Sequence, residues 1–214
     1  KNVRHAFTLV ELLVVVATTA VILGVLLPVT GRARLQAKVL TINAELRDVG
    51  LALEAYALDH QGKYPPTRVD CMSGDHFYQL PYELADCGYL PKPGPDSLLS
   101  AGLEDRFNPG HTYKYRSVGV LIYNRTNAIP DGACLWVPES FPDNEQTEGR
   151  TYSRLEESPV SWVLYSQGPK FDDRKMRQMQ YPVPSTTWFN WESAEGIVVR
   201  MRLRNGRQIG TFEW

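Results

Sequence analysis

The residues Phe7-Thr-Leu-Val-Glu11 lead directly into an apolar segment, and that segment decides the fold. From Leu12 to Thr30 the chain has 19 residues without a formal charge, about the length of a helix that crosses a bilayer. Glu11 therefore places a carboxylate at the very start of a membrane-length stretch. Because a charge within a membrane costs roughly 2–4 kcal/mol at the centre and less near the interface, an acid in this position indicates a function.

The helical pattern continues beyond the apolar segment without a break. Seven apolar residues recur at alternating intervals of four and three: Leu35, Val39, Ile42, Leu46, Val49, Leu53 and Tyr56. This stripe favours the core-facing side of an amphipathic helix over a free coiled coil. The sequence Gly62-Lys-Tyr-Pro-Pro66 is a stop signal, so we expect the helix to end near His60.

Gly24 and Pro28 interrupt the first half of this helix. Proline within a helix removes a hydrogen bond and usually kinks it, although neighbouring groups in a membrane can satisfy the freed carbonyl. We therefore predict a bend or local loosening between Gly24 and Gly31.

The rest of the chain is rich in turns and leans towards β-structure. The segments Tyr113–Tyr123 and Val160–Tyr165 have the β-branched and aromatic content of strands. The segment 197–212 predicts a hairpin with a type I′ turn at Asn205-Gly206, one face apolar and the other facing solvent. We therefore expect an α+β fold, in which a long N-terminal helix packs on a small antiparallel sheet. Its first half would be transmembrane and its second half amphipathic.

Composition and motifs argue against several function classes. The net charge of −1 gives no strong attraction to nucleic acid or acidic lipid. The four histidines are scattered, and neither a Gly-x-Ser-x-Gly nucleophile motif nor a glycine-rich phosphate loop is present. We therefore expect that the chain is not an enzyme and needs no cofactor.

Three cysteines leave the pairing open. A Cys71–Cys87 bridge would close a short loop rich in turn residues and would suit an oxidising compartment, leaving Cys134 unpaired. Other pairings, or three unpaired thiols, are equally compatible with the sequence.

A basic and aromatic group near the C-terminus suggests a second function. Arginines on one face of the predicted hairpin, beside tryptophans, would suit single-stranded DNA. The residues are Arg200, Arg202, Arg204 and Arg207, with Trp188, Trp191 and Trp214. We favour a solvated strand face instead, so nucleic acid is not an expected partner.

The cost of the carboxylate at Glu11 can be lowered by a nearby cation. The helix N-terminal dipole contributes roughly 0.3–1 kcal/mol, and protonation would remove the charge. Cleavage between Ala6 and Phe7 would create an α-amino group at Phe7, which is largely charged at neutral pH because its reference pKa is about 8. Glu11 of one subunit would then pair with the Phe7 amine of another and set the register of packed helices.

The sequence from Ala6 to Val15 resembles the N-terminal signal of type IV pilins and type II secretion pseudopilins. Gly62-Lys-Tyr-Pro65 is similar to the phrase that ends the helix in the major pseudopilin subgroup. The resemblance implies that a prepilin peptidase cleaves before Phe7 and methylates the new amine, that Glu11 is the assembly residue, and that the helix loosens at Pro28. Ala6 stands where the family usually has glycine.

The resemblance also bears on calcium, which major pseudopilins bind in a C-terminal loop. The family's Gly-Pro-Asp-Gly phrase is absent, and Gly168-Pro-Lys-Phe-Asp-Asp173 is a candidate remnant. Asp172 and Asp173 are candidate calcium ligands, since calcium prefers several hard oxygen atoms. Two adjacent aspartates are more often a solvated turn.

The resemblance implies four regions and a filament function. Residues 1–6 would be a leader remnant, 7–30 the transmembrane and filament-core helix, 31–61 the amphipathic helix and 62–214 a periplasmic or extracellular pilin-like domain. The chain would be a structural subunit of a type II secretion pseudopilus or a related type IV filament. It would start in the bacterial cytoplasmic membrane, with its domain outside the cytoplasm.

The expected partners are other copies of the chain, the prepilin peptidase, an inner-membrane assembly platform and other pseudopilins. Two alternatives are a minor type IV pilin for adhesion or DNA uptake, and a membrane-anchored periplasmic binding domain.

Overall fold

The computed structural model describes residues 8–70, 77–124, 126–142, 149–178 and 180–212. It has an α+β fold, in which one long apolar N-terminal helix is followed by a small domain of mostly antiparallel sheets. The chain divides into two compact units, Lys1–Leu40 and Thr41–Trp214.

Helix α1 extends from Leu9 to Asp59. It ends one residue before the predicted position, where the Gly62 amide donates to the Ala57 carbonyl at 2.8 Å and Gln61 has a φ of +58°. This six-to-one hydrogen bond around a left-handed residue is a Schellman motif. Four residues of the predicted apolar stripe are fully buried in the second unit: Ile42, Leu46, Val49 and Leu53. The amphipathic character of this half of the helix is thereby confirmed.

Within the described residues, nine strands and three short helices follow α1. The strands are β1 (Thr67–Val69), β2 (Lys114–Ser117), β3 (Gly119–Tyr123), β4 (Asn127–Ala133), β5 (Leu135–Val137), β6 (Arg150–Tyr152), β7 (Val160–Ser166), β8 (Val198–Leu203) and β9 (Gln208–Gly210). The helices are α2 (Tyr82–Asp86), α3 (Asp173–Met176) and a 3-10 turn at Ser185–Thr187.

The main sheet is antiparallel and has the strand order β2-β7-β8-β9. All seven residues of the central strand β7 are buried, because both faces of the sheet are covered. One face packs into the hydrophobic core with Val163 and Tyr165. The other face carries Trp162, whose ring lies against Gly50 of α1; a β-carbon at Gly50 would be only 3.1 Å from ring carbon Cη2. Glycine thus allows the helix to approach the sheet closely.

The C-terminal hairpin is confirmed, but its turn is not type I′. Strands β8 and β9 pair antiparallel, with Met201 opposite Ile209. Gly206 has a φ of +91°, whereas Asn205 does not have the positive φ that a type I′ turn needs. The Gly206 amide donates to the Leu203 carbonyl at 3.0 Å, and the Leu203 amide donates to the Arg207 carbonyl at 2.8 Å. The loop is therefore one residue longer, with Gly206 in the left-handed position.

The remaining strands depart from the single antiparallel sheet that the sequence predicts. Strands β1, β3 and β4 form a second sheet, in which β1 runs parallel to β3, and β5 pairs with β6. The parallel pair is allowed because a long connection separates β1 from β3. The predicted strand Tyr113–Tyr123 is divided between two sheets at Gly119, where a φ of +108° redirects the chain.

Candidate functional site

The start of α1 is closed by reciprocal hydrogen bonds between Thr8 and Glu11. The amide and hydroxyl of Thr8 donate to Oε2 of Glu11 at 2.8 and 2.7 Å, and the Glu11 amide donates to Thr8 Oγ1 at 3.2 Å. This is a capping box, which satisfies amide groups that have no partner within the helix. Thr-x-x-Glu before an apolar run is a local sequence signal for this motif, but the motif is not among the predictions made for Glu11 above.

The first part of α1 exposes apolar side chains on every side. From Leu9 to Val29 the large apolar side chains are 48–78% exposed. The hydroxyls of Thr18, Thr19 and Thr30 donate to carbonyls three or four residues earlier, so these polar groups are satisfied within the helix. Among the helices of the described residues, α1 alone is long and apolar enough to span a membrane, and it lies near the N-terminus.

The described residues include the predicted bend site but not the predicted processing site. Ala6 and Phe7 lie outside the described residues, so cleavage before Phe7 stays a prediction. Helix α1 is continuous through Gly24 and Pro28. Proline lacks the amide that would donate to the Gly24 carbonyl, so this carbonyl loses its usual partner four residues later in the helix. The bend itself stays a prediction.

Two carboxylates on the second half of α1 connect the helix to the sheet domain. Glu54 accepts hydrogen bonds from the Trp162 indole at 3.1 Å and from the Tyr64 hydroxyl at 3.2 Å, and its Oε1 lies 2.8 Å from Nε of Arg202. Burial, and then the Glu54 carboxylate, raise the pKa of Tyr64 to about 12. Glu54 thus holds three groups that are far apart in the sequence.

Glu45 has the same arrangement nine residues earlier. It pairs with the Arg106 guanidinium and accepts a hydrogen bond from the Tyr113 hydroxyl. Burial and this hydrogen bond raise the pKa of Tyr113 well above its ordinary value. Both glutamates lie off the apolar stripe, and no local pattern indicates a role for them because their partners are distant in sequence.

A buried aspartate organises the loop before β2. Asp105 is fully buried, and its carboxylate accepts hydrogen bonds from Ser166 Oγ at 2.6 Å and from the amides of Phe107 and Gln167 at 2.9 Å. Burial raises the pKa of Asp105, while these hydrogen bonds and the charge of buried Lys114 act in the opposite direction. The donors come from the loop itself and from the end of β7, so Asp105 fastens the loop to the main sheet.

Of the two candidate calcium ligands, Asp172 caps a short helix. Asp172 is the N-cap of α3, and its carboxylate accepts from the Arg174 amide and guanidinium at 3.0 Å. These bonds hold the pKa of Asp172 below its ordinary value. The side chain of Asp173 lies outside what the structure describes. Within the described ranges, no group of three or more His, Cys, Asp or Glu side chains could hold a metal ion.

The predicted disulfide stays a prediction, since Cys71 lies outside the described residues. Cys87 is exposed just after α2, and Cys134 is half-buried between β4 and β5. Cys87 and Cys134 are not bonded to each other in the part of the chain that the structure describes.

The prediction that one face of β8 is exposed to solvent is wrong for most of the strand, because α1 covers that face. Arg200 is only 7% exposed, donates to Gln208 Oε1 at 2.8 Å and stacks on Phe212 with its Cζ 3.8 Å from the ring centroid. Arg202 pairs with Glu54, and Arg204 at the strand end is exposed. The continuous arginine row that would suit single-stranded DNA is therefore not accessible. Trp188 is half-buried with its indole bonded to a carbonyl, and Trp214 lies outside the described residues.

Protein-family models, curated proteins and solved structures were each compared with the chain, and none of them matches it.

Proposed function

We propose that this chain is a structural subunit of a helical filament of the type IV pilin class, nearest to the type II secretion pseudopilins. The observation that carries the proposal is the first part of α1, whose apolar side chains are exposed all round and which begins at a capped glutamate. The resemblance of the sequence from Ala6 to Val15 to the pilin signal supports the same interpretation.

The exposed apolar surface of the first part of α1 must be buried against lipid or protein. Burial of one large aliphatic side chain contributes about 1.5–3 kcal/mol, so a helix that exposes all of them is not stable in water. The 19 uncharged residues from Leu12 to Thr30 rise by about 28 Å, which matches a bilayer core. We propose that lipid of the bacterial cytoplasmic membrane covers this surface before assembly and that neighbouring copies cover it afterwards.

Glu11 distinguishes a filament subunit from a plain membrane anchor. A plain anchor uses a carboxylate at the start of its span only to cap the helix, whereas a filament subunit also uses it to set register. The capping box engages Oε2, and Oε1 accepts no hydrogen bond from any described residue. In the proposed filament, Glu11 meets the amine that cleavage creates at Phe7 of a neighbouring subunit, and a prepilin peptidase and an inner-membrane assembly platform are the other partners.

Substitutions at Thr8 and Glu11 separate helix capping from subunit pairing. Glu11→Gln keeps an oxygen for the Thr8 donors but removes the charge, so we expect filaments to be lost. Thr8→Ala removes the cap at a cost of about 1 kcal/mol and leaves the carboxylate, so we expect filaments to persist. The measurement is the yield of sheared filaments by electron microscopy, with equal membrane levels of each variant. Wild-type filament yield from Glu11→Gln would contradict the proposal.

A further inference from the structure

A cavity of about 360 Å³ lies between the end of α1 and the strands β7 and β8. All of its lining belongs to the unit Thr41–Trp214. Its walls include aliphatic, hydroxyl and guanidinium groups: Leu58, Leu155, Tyr64, Ser161, Arg202 and Arg204. Its volume is within the range of sites that bind small ligands or the end of a peptide.

The cavity has more positive than negative charge. Glu54 is the carboxylate in its wall, and it already accepts from Trp162, Tyr64 and Nε of Arg202. The two terminal nitrogens of Arg202 have no carboxylate or carbonyl partner among the described residues, and Arg204 uses one nitrogen for a backbone carbonyl. One carboxylate therefore faces two guanidinium groups, which leaves a net charge of +1 for a bound anion.

The two guanidinium groups both line the cavity. Arg202 lies in β8, and Arg204 follows directly after the strand. Guanidinium groups favour carboxylates through paired hydrogen bonds. Leu58 and Leu155 also line the cavity, and Leu58 is 85% exposed. Two arginines next to aliphatic side chains match a ligand that has a carboxylate and an aliphatic group on the same carbon.

We propose that this cavity binds the C-terminal carboxylate of a polypeptide whose last side chain is aliphatic. The carboxylate pairs with Arg202 and Arg204, and the aliphatic side chain packs against Leu58 and Leu155. Inorganic phosphate satisfies the arginines but leaves the apolar wall uncovered, so it binds more weakly. This inference does not depend on filament assembly, since every group belongs to one copy of the chain.

The test uses the full chain in detergent micelles and follows the Trp162 indole N–H signal by NMR. That group bonds to Glu54 in the cavity wall, and a Trp162→Phe variant assigns its signal. The probe is N-acetyl-leucine, which has the carboxylate and side chain of a peptide end. We expect a saturable shift with a dissociation constant of about 1–10 mM, the range for a ligand of this size. N-acetyl-leucinamide, which lacks the charge, and inorganic phosphate are expected to bind at least tenfold more weakly.

Matched arginine variants locate the site. We expect Arg204→Gln to weaken binding of N-acetyl-leucine about tenfold, because a charged hydrogen bond is lost. Arg207→Gln removes an arginine of the same hairpin that does not line the cavity, and its affinity is expected to equal that of the wild type. Unchanged dispersion of the other indole signals shows that each variant is folded. Equal affinity for leucinamide or phosphate, or equal effects of the two variants, would overturn the proposal.

Discussion

The contacts of Glu54 predict how strongly α1 is attached to the sheet domain. In Glu54→Ala, the indole of fully buried Trp162 loses its acceptor, which costs about 1–3 kcal/mol. The Tyr64 hydroxyl also loses its acceptor, which lowers the free energy of unfolding by about 1 kcal/mol more. The ion pair with Arg202 adds less than about 1 kcal/mol, because both side chains are about a quarter exposed. We therefore expect the free energy of unfolding to fall by about 3 kcal/mol.

Urea unfolding of the full chain in micelles, followed by near-ultraviolet circular dichroism, measures this loss. With a slope of about 2 kcal/mol per molar urea, the midpoint is expected to fall by about 1.5 M. Glu54→Gln keeps one acceptor oxygen and is expected to lose about half as much. Asp48→Ala is the control on the same helix, since its 4.0 Å pair with Arg47 is about two-thirds exposed and contributes less than about 0.5 kcal/mol. If Glu54→Ala changed the midpoint no more than Asp48→Ala, this reasoning would be refuted.

Three further perturbations test the packing and electrostatics of the domain. Gly50→Leu is expected to lower the free energy of unfolding by about 1–3 kcal/mol in urea titrations, because a side chain there overlaps the Trp162 ring; an unchanged midpoint would mean that the helix and the sheet are not in close contact. Arg116→Lys is expected to cost about 1–3 kcal/mol in thermal unfolding, since one lysine cannot reach both carbonyls that the buried guanidinium holds, one of them that of Tyr181. The pKa of Tyr64 is raised to about 12, against about 10 in an unfolded chain. The folded state therefore keeps a proton that the unfolded chain loses, and stability falls as pH rises from 10 through 12. Tyr64→Phe is expected to lose this part of the decline in an alkaline stability profile, and an identical profile would contradict the raised pKa.

Local patterns predicted the elements that are held by short-range interactions. Helix α1 and its end follow from apolar spacing and from the Gly62 stop signal, and the β8–β9 hairpin follows from alternation around Asn205-Gly206. The Thr8–Glu11 capping box was within reach of the same reasoning, because both residues lie in one turn. The membrane cost of the Glu11 carboxylate instead favoured a partner in another chain.

The packing of segments that are distant in the sequence could not be predicted from local patterns. Arginines that alternate with apolar residues on β8 look solvated, yet α1 covers Arg200 and supplies Glu54 to Arg202. The two members of that pair are far apart in the chain, so no local pattern links them. Asp105 was also missed, because its donors include residues about 60 positions later. Burial of such polar groups depends on the tertiary fold, which decides where each finds its partner.

The mass of the mature N-terminus tests the central claim most directly. The chain is expressed in a bacterium that has a prepilin peptidase, recovered from the membrane, and its N-terminal peptide is analysed by mass spectrometry. The account predicts that the mature chain begins at Phe7 and that its α-amino group is methylated, so that it can pair with Glu11 of a neighbouring copy. A mature chain that retains Ala6 and the residues before it, with an active peptidase present, would contradict the assignment to the pilin class.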